Sequence, residues 1–185
     1  MTDTFTVCAL RTQPADARME DSDLIVFAAG ATRFTFYNGR WASADSSWLC
    51  GGHGDPEADA LQWIAEALGA QPLVTWSIAD FARQVNALAM QADLADPTDV
   101  TGRLRVIRDA VRRSVIPSVD VHFRDADGVE SAVCDDVDLA EVVALMRGDT
   151  NRDPLAMHRA ITAETELVGR LAIAALGRGA ELDRD

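Results

Sequence analysis

The side chains able to do chemistry are few and scattered along the chain. Asp80 stands three residues after Ser77, just behind the short apolar run Leu73-Val74-Thr75-Trp76. A carboxylate at the end of a buried strand can hold a divalent cation, but with Ser77 it also completes a helix cap, which needs no ligand. His158 borders the apolar face of the last long amphipathic stretch. Its imidazole could act as a general base near neutral pH, yet no carboxylate follows at a spacing that would orient it, so a structural contact is the simpler role. Cys50 and His53 have zinc-like C-x-x-H spacing with no second pair to complete four ligands. The acids Asp135, Asp136, Asp138 and Glu141 lack the twelve-residue Ca²⁺ loop with its central glycine, so capping and a solvated face account for them. Cys8 lies among apolar neighbours with nothing nearby to stabilise a thiolate, which reads as an inert buried thiol. Arg105, Arg108 and Arg112 share one helical face in the most basic stretch, suited to a phosphate or an acidic partner, or simply to solvent. Gly51-Gly52-His53-Gly54 lacks the Lys-Ser/Thr of a phosphate loop, and no Gly-x-Ser-x-Gly elbow occurs.

Bulk properties narrow the setting. With 185 residues, of which 48% are apolar, one domain with a substantial core is the simplest organisation. We assign it to residues 1–178, with 179–185 as a charged, frayed tail. Thirty acids face 17 bases, all arginine, for a net charge of −13. That excess weakens any general attraction to nucleic-acid backbones and suits a cationic protein partner. Three widely spaced cysteines, no CxxC and no signal peptide lead us to expect a reducing cytoplasm. The apolar run Leu171 to Leu176 is too short to cross a bilayer, so no membrane role is expected.

Several elements would position these groups. Phe5 to Leu10 reads as a strand, and Leu24 to Ala29 as a second, wholly apolar one. Thr32 to Tyr37 alternates and turns at Asn38-Gly39, a type I′ hairpin signal, returning through Arg40-Trp41. These make an antiparallel three-stranded start, and residues 43–55 read as loop. Asp55-Pro56-Glu57 opens a helix whose Leu61, Ile64, Ala65 and Leu68 form one stripe, closed by Gly69. A strand at Leu73–Trp76 and a helix capped by Ser77, with Phe81, Val85 and Leu88 on one face, complete a helix-strand-helix unit. Asp93 to Gly102 is expected as a polar connection, and Val100 to Ile116 as a helix stopped by Pro117. Val119–Phe123 and Val129–Val133 suggest a second hairpin, Asp138–Met146 a short helix, and Asp153-Pro154 the start of a long one to about Leu176.

This order resembles the ribonuclease-H-like 3′–5′ exonucleases of the DEDD group. The resemblance implies an α/β fold, a mixed sheet flanked by helices, in which four carboxylates hold two divalent metals. The family's first motif, Asp-x-Glu-Thr-Thr, would fall on Cys8-Ala9-Leu10-Arg11-Thr12, so Cys8 and Leu10 stand at the two acid positions. Its second motif resembles Leu73-Val74-Thr75-Trp76-Ser77, with Asp80-Phe81 in inverted order. Its third places a histidine five residues before an aspartate; His158 fits, but the aspartate's position is Ala163. Glu164, one residue on, is expected to point elsewhere, about 100° around the helix.

The resemblance thus implies a degenerate exonuclease with Asp80 and His158 as vestiges, no resident metal, and a role in binding nucleic acid or protein. Two alternatives remain. One is an active Mg- or Mn-dependent exonuclease using atypical ligands among Asp21, Asp23, Asp80, Glu164 and the 135–141 acids. The other is an unrelated α/β scaffold or assembly protein.

Overall fold

A computed structural model describes residues 3–14, 24–49, 55–92, 97–114, 116, 119, 154–176 and 182–183. It is α/β. Among the described residues, a mixed sheet in the order β4-β1-β2-β3-β5 lies between three helices on one face and one long helix on the other.

β1 (Thr4–Pro14), β2 (Leu24–Tyr37) and β3 (Arg40–Leu49) form the antiparallel start. Asn38 and Gly39 both have positive φ, 52° and 82°, and join Tyr37 to Arg40 in the two-residue turn their types favour. The β1–β2 register steps past Phe27, from Arg11↔Ala28 to Thr12↔Val26. Across the bulge the side-chain phase changes, so Val26 shares the α1–α3 face with Ala29 while Ala28 packs on the opposite side. Residues 43–49, expected as loop, belong to β3. Their Ser- and Asp-rich sequence shows no apolar alternation because Ser43 to Ser46 are exposed on both faces, and the ladder to β2 holds them extended.

α1 (Pro56–Leu68) begins where the Asp55 carboxylate accepts the Ala58 amide N–H at 3.0 Å, and it ends at Gly69 with φ +49°. β4 (Leu73–Val74) then pairs in parallel with Thr6 and Val7 of β1. α2 (Ile78–Gln91) follows directly. α3 (Pro97–Arg112) starts earlier than the polar composition of 93–102 suggests, with Pro97 in its first turn. Arg103 ties α3 to α1, donating to the Ala58 carbonyl at 3.0 Å and to Gln62 Oε1 at 3.2 Å.

The strand period sorts the core into two layers. Cys8, Leu10, Val26 and Ala29 meet Leu61, Ile64, Phe81, Leu88 and Ile107 of α1–α3. On the other face Phe5, Val7, Phe34 and Trp41 meet Leu167, Val168 and Leu171 of α4 (Pro154–Ala175). Phe5 stacks on Phe34 with centroids 5.2 Å apart. Close approach depends on two glycines. A Cβ at Gly30 would lie 2.7 Å from Ile161, and one at Gly169 would lie 2.0 Å from Phe34.

The tail expected to fray supplies β5 (Leu182–Asp183), parallel to Trp41–Ala42, because β3 offers unsatisfied backbone groups on its outer edge there. The hairpin expected over 119–133 and the helix over 138–146 lie outside the described residues, apart from Val119. That residue is buried and donates its N–H to the Thr75 carbonyl at 3.3 Å, on the far side of β4 from β1. No helix among the described residues is long and apolar enough to cross a membrane.

Candidate functional site

β4 pairs with β1 for only two residues and stops at Val74, so among the described residues no strand pairs with the outer edge of β1 from Cys8 onward. A cavity of about 130 Å³ opens there. Cys8 to Arg11 of β1, the Thr75–Ser77 turn, one face of α2 (Asp80, Phe81, Gln84) and one face of α4 (Glu164, Val168) line it. Placement at the carboxyl ends of the parallel pair β1/β4 is where α/β sheets usually hold ligands. Its volume falls below the roughly 300 Å³ at which small-molecule pockets begin.

Strand alternation assigns the β1 residues. Cys8 and Leu10 point into the α1–α3 layer and are buried. Arg11, on the opposite face, reaches α4 and forms an ion pair with Glu164. Glu164 is 7% exposed. Burial pushes its pKa up, and the Arg11 guanidinium opposes that shift. The Cys8 thiol is raised to about 12 by burial first and then by the charge of Glu164, so it stays protonated and inert.

The residues singled out from the sequence divide accordingly. Cys8, Leu10 and Asp80 meet in this cavity. Asp80 is largely exposed at its mouth; its backbone N–H donates to Ser77 Oγ at 3.4 Å and its carboxylate accepts from Arg83 at 3.3 Å. His158 is not in the lining. Its Nδ1 lies 2.7 Å from Ser47 Oγ on β3. Ala163 packs against the Phe5–Trp41 layer. Glu164 faces the cavity, contrary to the expectation that it points elsewhere. Helical spacing from His158 singles out position 163, whereas packing of Ile161 and Val168 against the sheet sets which face turns inward. The motif spacing gives no role to Arg11, which follows Cys8 and Leu10 at the two acid positions; an arginine directly past a buried strand segment is the signal in the sequence.

On α3, Arg105, Arg108 and Arg112 are exposed. Arg108 donates to Asn86 at 3.4 Å and Arg112 lies 3.5 Å from Asp109. Among the described residues, no three His, Cys, Asp or Glu side chains are grouped to hold a metal ion. Cys50, His53, Asp21, Asp23 and the 135–141 acids lie outside the described residues.

No family model matches the chain, and neither a curated protein nor a solved structure does.

Proposed function

We propose that the chain is a ribonuclease-H-like protein without nuclease chemistry that acts by binding a protein partner. The strand order β4-β1-β2-β3, with α1 crossing from β3 to a β4 parallel to β1, supports the architecture. The Val119 amide, bonded to the Thr75 carbonyl just past β4, is consistent with it.

One observation carries the functional reading: at the carboxyl end of β1 stand a protonated thiol, a leucine and a guanidinium already paired with the buried Glu164. Two-metal hydrolysis needs several anionic oxygens converging on hard cations. Here the buried carboxylate is neutralised from within the chain, so the residues present do not fit such a centre. A net charge of −13 favours a cationic protein over a phosphate backbone as partner.

Incubation of the pure chain with single-stranded DNA and RNA in Mg²⁺ or Mn²⁺ tests the reading. Intact substrate is expected. Degradation abolished by Asp80→Ala would overturn it. A second reading, an exonuclease with atypical ligands, draws on Asp80 and Glu164 lining one cavity, and the same assay decides between them. Exposed Arg105, Arg108 and Arg112 are the face a nucleic acid would use. Fluorescence anisotropy with labelled oligonucleotides is expected to show no binding that Arg105→Glu weakens.

A further inference from the structure

We propose that the hairpin tip Asn38-Gly39 is a site of spontaneous covalent modification, at which Asn38 turns into isoaspartate or aspartate within the folded chain. Asparagine followed by glycine suits this chemistry because the attacking nitrogen belongs to a residue with no hindering side chain. Of the three asparagines, Asn38 alone precedes a glycine. Asn86 precedes Ala87 inside α2, where helical bonding holds the following amide, and Asn151 precedes Arg152. Tyr37 to Arg40 are all exposed, and a Cβ at Gly39 would meet nothing within 4 Å. In a two-residue turn the Tyr37 carbonyl accepts the Arg40 N–H, which leaves the Gly39 N–H to solvent. The nitrogen that must lose its proton is thus outside the sheet ladder.

The chemistry needs only water. Hydroxide takes the Gly39 amide proton, and the nitrogen attacks Asn38 Cγ. The N–Cγ bond forms, the Cγ–Nδ2 bond breaks, and ammonia leaves with a proton from water. A second water opens the five-membered imide. Opening at the main-chain carbonyl of Asn38 gives isoaspartate, and opening at Cγ gives aspartate. Ring closure requires Asn38 to leave its left-handed conformation, φ 52°, so the intact turn slows the reaction. Isoaspartate carries the chain through its side chain and adds one methylene to a loop that fits two ordinary residues. The misfit falls on the Tyr37↔Arg40 pair and then on Phe36↔Trp41, whose rings lie 5.3 Å apart. Trp41 is fully buried and also packs on Phe5, so the disturbance enters the core beneath α4. Either product adds a negative charge to a chain already at −13.

Incubation of the full chain at mildly alkaline pH, followed by trypsin and mass spectrometry, tests this. Trypsin cuts after Arg33 and Arg40, so residues 34–40 form one peptide with a single asparagine. That peptide is expected to gain about 1 Da in two chromatographically separate forms, isoaspartate and aspartate. The gain is expected to be about tenfold or more slower than in urea, where the turn is absent. Chain carrying isoaspartate is expected to melt about 2 °C or more below the unmodified chain. Asn38→Asp adds the charge without the methylene and is expected to melt with the unmodified chain, which separates backbone from charge. A peptide left unchanged in the folded chain, while the unfolded chain converts, overturns the inference. So does conversion at Asn86 or Asn151 as fast as at Asn38. Neither result bears on the nuclease assay, so the two readings fail separately.

Discussion

Arg11 and Glu164 decide what the cavity can do, and they also make it sensitive to pH. Burial raises the Glu164 pKa above 4.5, so the folded chain binds that proton more tightly than the unfolded one. The contribution to stability is then largest at low pH and declines as pH rises from the unfolded value through the raised folded one. Glu164→Gln is expected to remove that decline from a plot of denaturation free energy against pH. Arg11→Met takes away the group opposing the shift and leaves a buried carboxylate without its cation, at a cost on the order of 3 kcal/mol near neutral pH. The loss is expected to shrink as pH falls, because a protonated Glu164 needs no counter-charge. Urea melts at two pH values check this; an equal loss at both would mean that the guanidinium acts through packing alone. Cys8 gives an independent readout, since a thiol raised to about 12 is expected to resist iodoacetamide until the chain unfolds.

Helix-to-sheet spacing is governed by glycines that the sequence does not advertise. Gly169→Ala is expected to destabilise by about 2 kcal/mol or more, since its Cβ would overlap Phe34, itself fully buried and stacked on Phe5. Gly102→Ala in α3 meets nothing within 4 Å and is expected to stabilise by about 0.5–1 kcal/mol. Opposite shifts of the thermal midpoint from one chemical change separate contact from propensity. The same contrast explains what was legible beforehand. Elements with one buried face announced themselves: the α1 stripe, the Asn38-Gly39 turn and the Ser77 cap are all present. Ser43 to Ser46 of β3 are exposed on both faces, so their extended backbone leaves no periodic trace. In the cavity, Cys8, Leu10 and Asp80 could be gathered by motif spacing, whereas Glu164 could not, because the inward face of α4 is chosen by Ile161 in the hollow of Ala9 and Ala28.

The whole chain carries 30 acids against 17 arginines, and this imbalance acts on the compact state as self-repulsion. Raising monovalent salt from about 20 mM to about 500 mM shortens the screening length from roughly 20 Å to a few Å, so the melting temperature is expected to rise. The question is whether divalent cations do more than screen. A site binding Mn²⁺ in the folded state alone adds stability as RT ln(1 + [L]/Kd), about 2.7 kcal/mol at a hundredfold excess over Kd. With the buried carboxylate of the cavity held by Arg11, Mn²⁺ is expected to raise the melting temperature no further than NaCl of equal ionic strength. Arg11→Met is the informative partner experiment, because it frees Glu164 beside Asp80 in the same cavity. An Mn²⁺-specific stabilisation that appears only in that variant would identify the guanidinium as the group standing in the cation's place. The same stabilisation in the unaltered chain would mean that metal is held by other carboxylates, and would favour the nuclease reading.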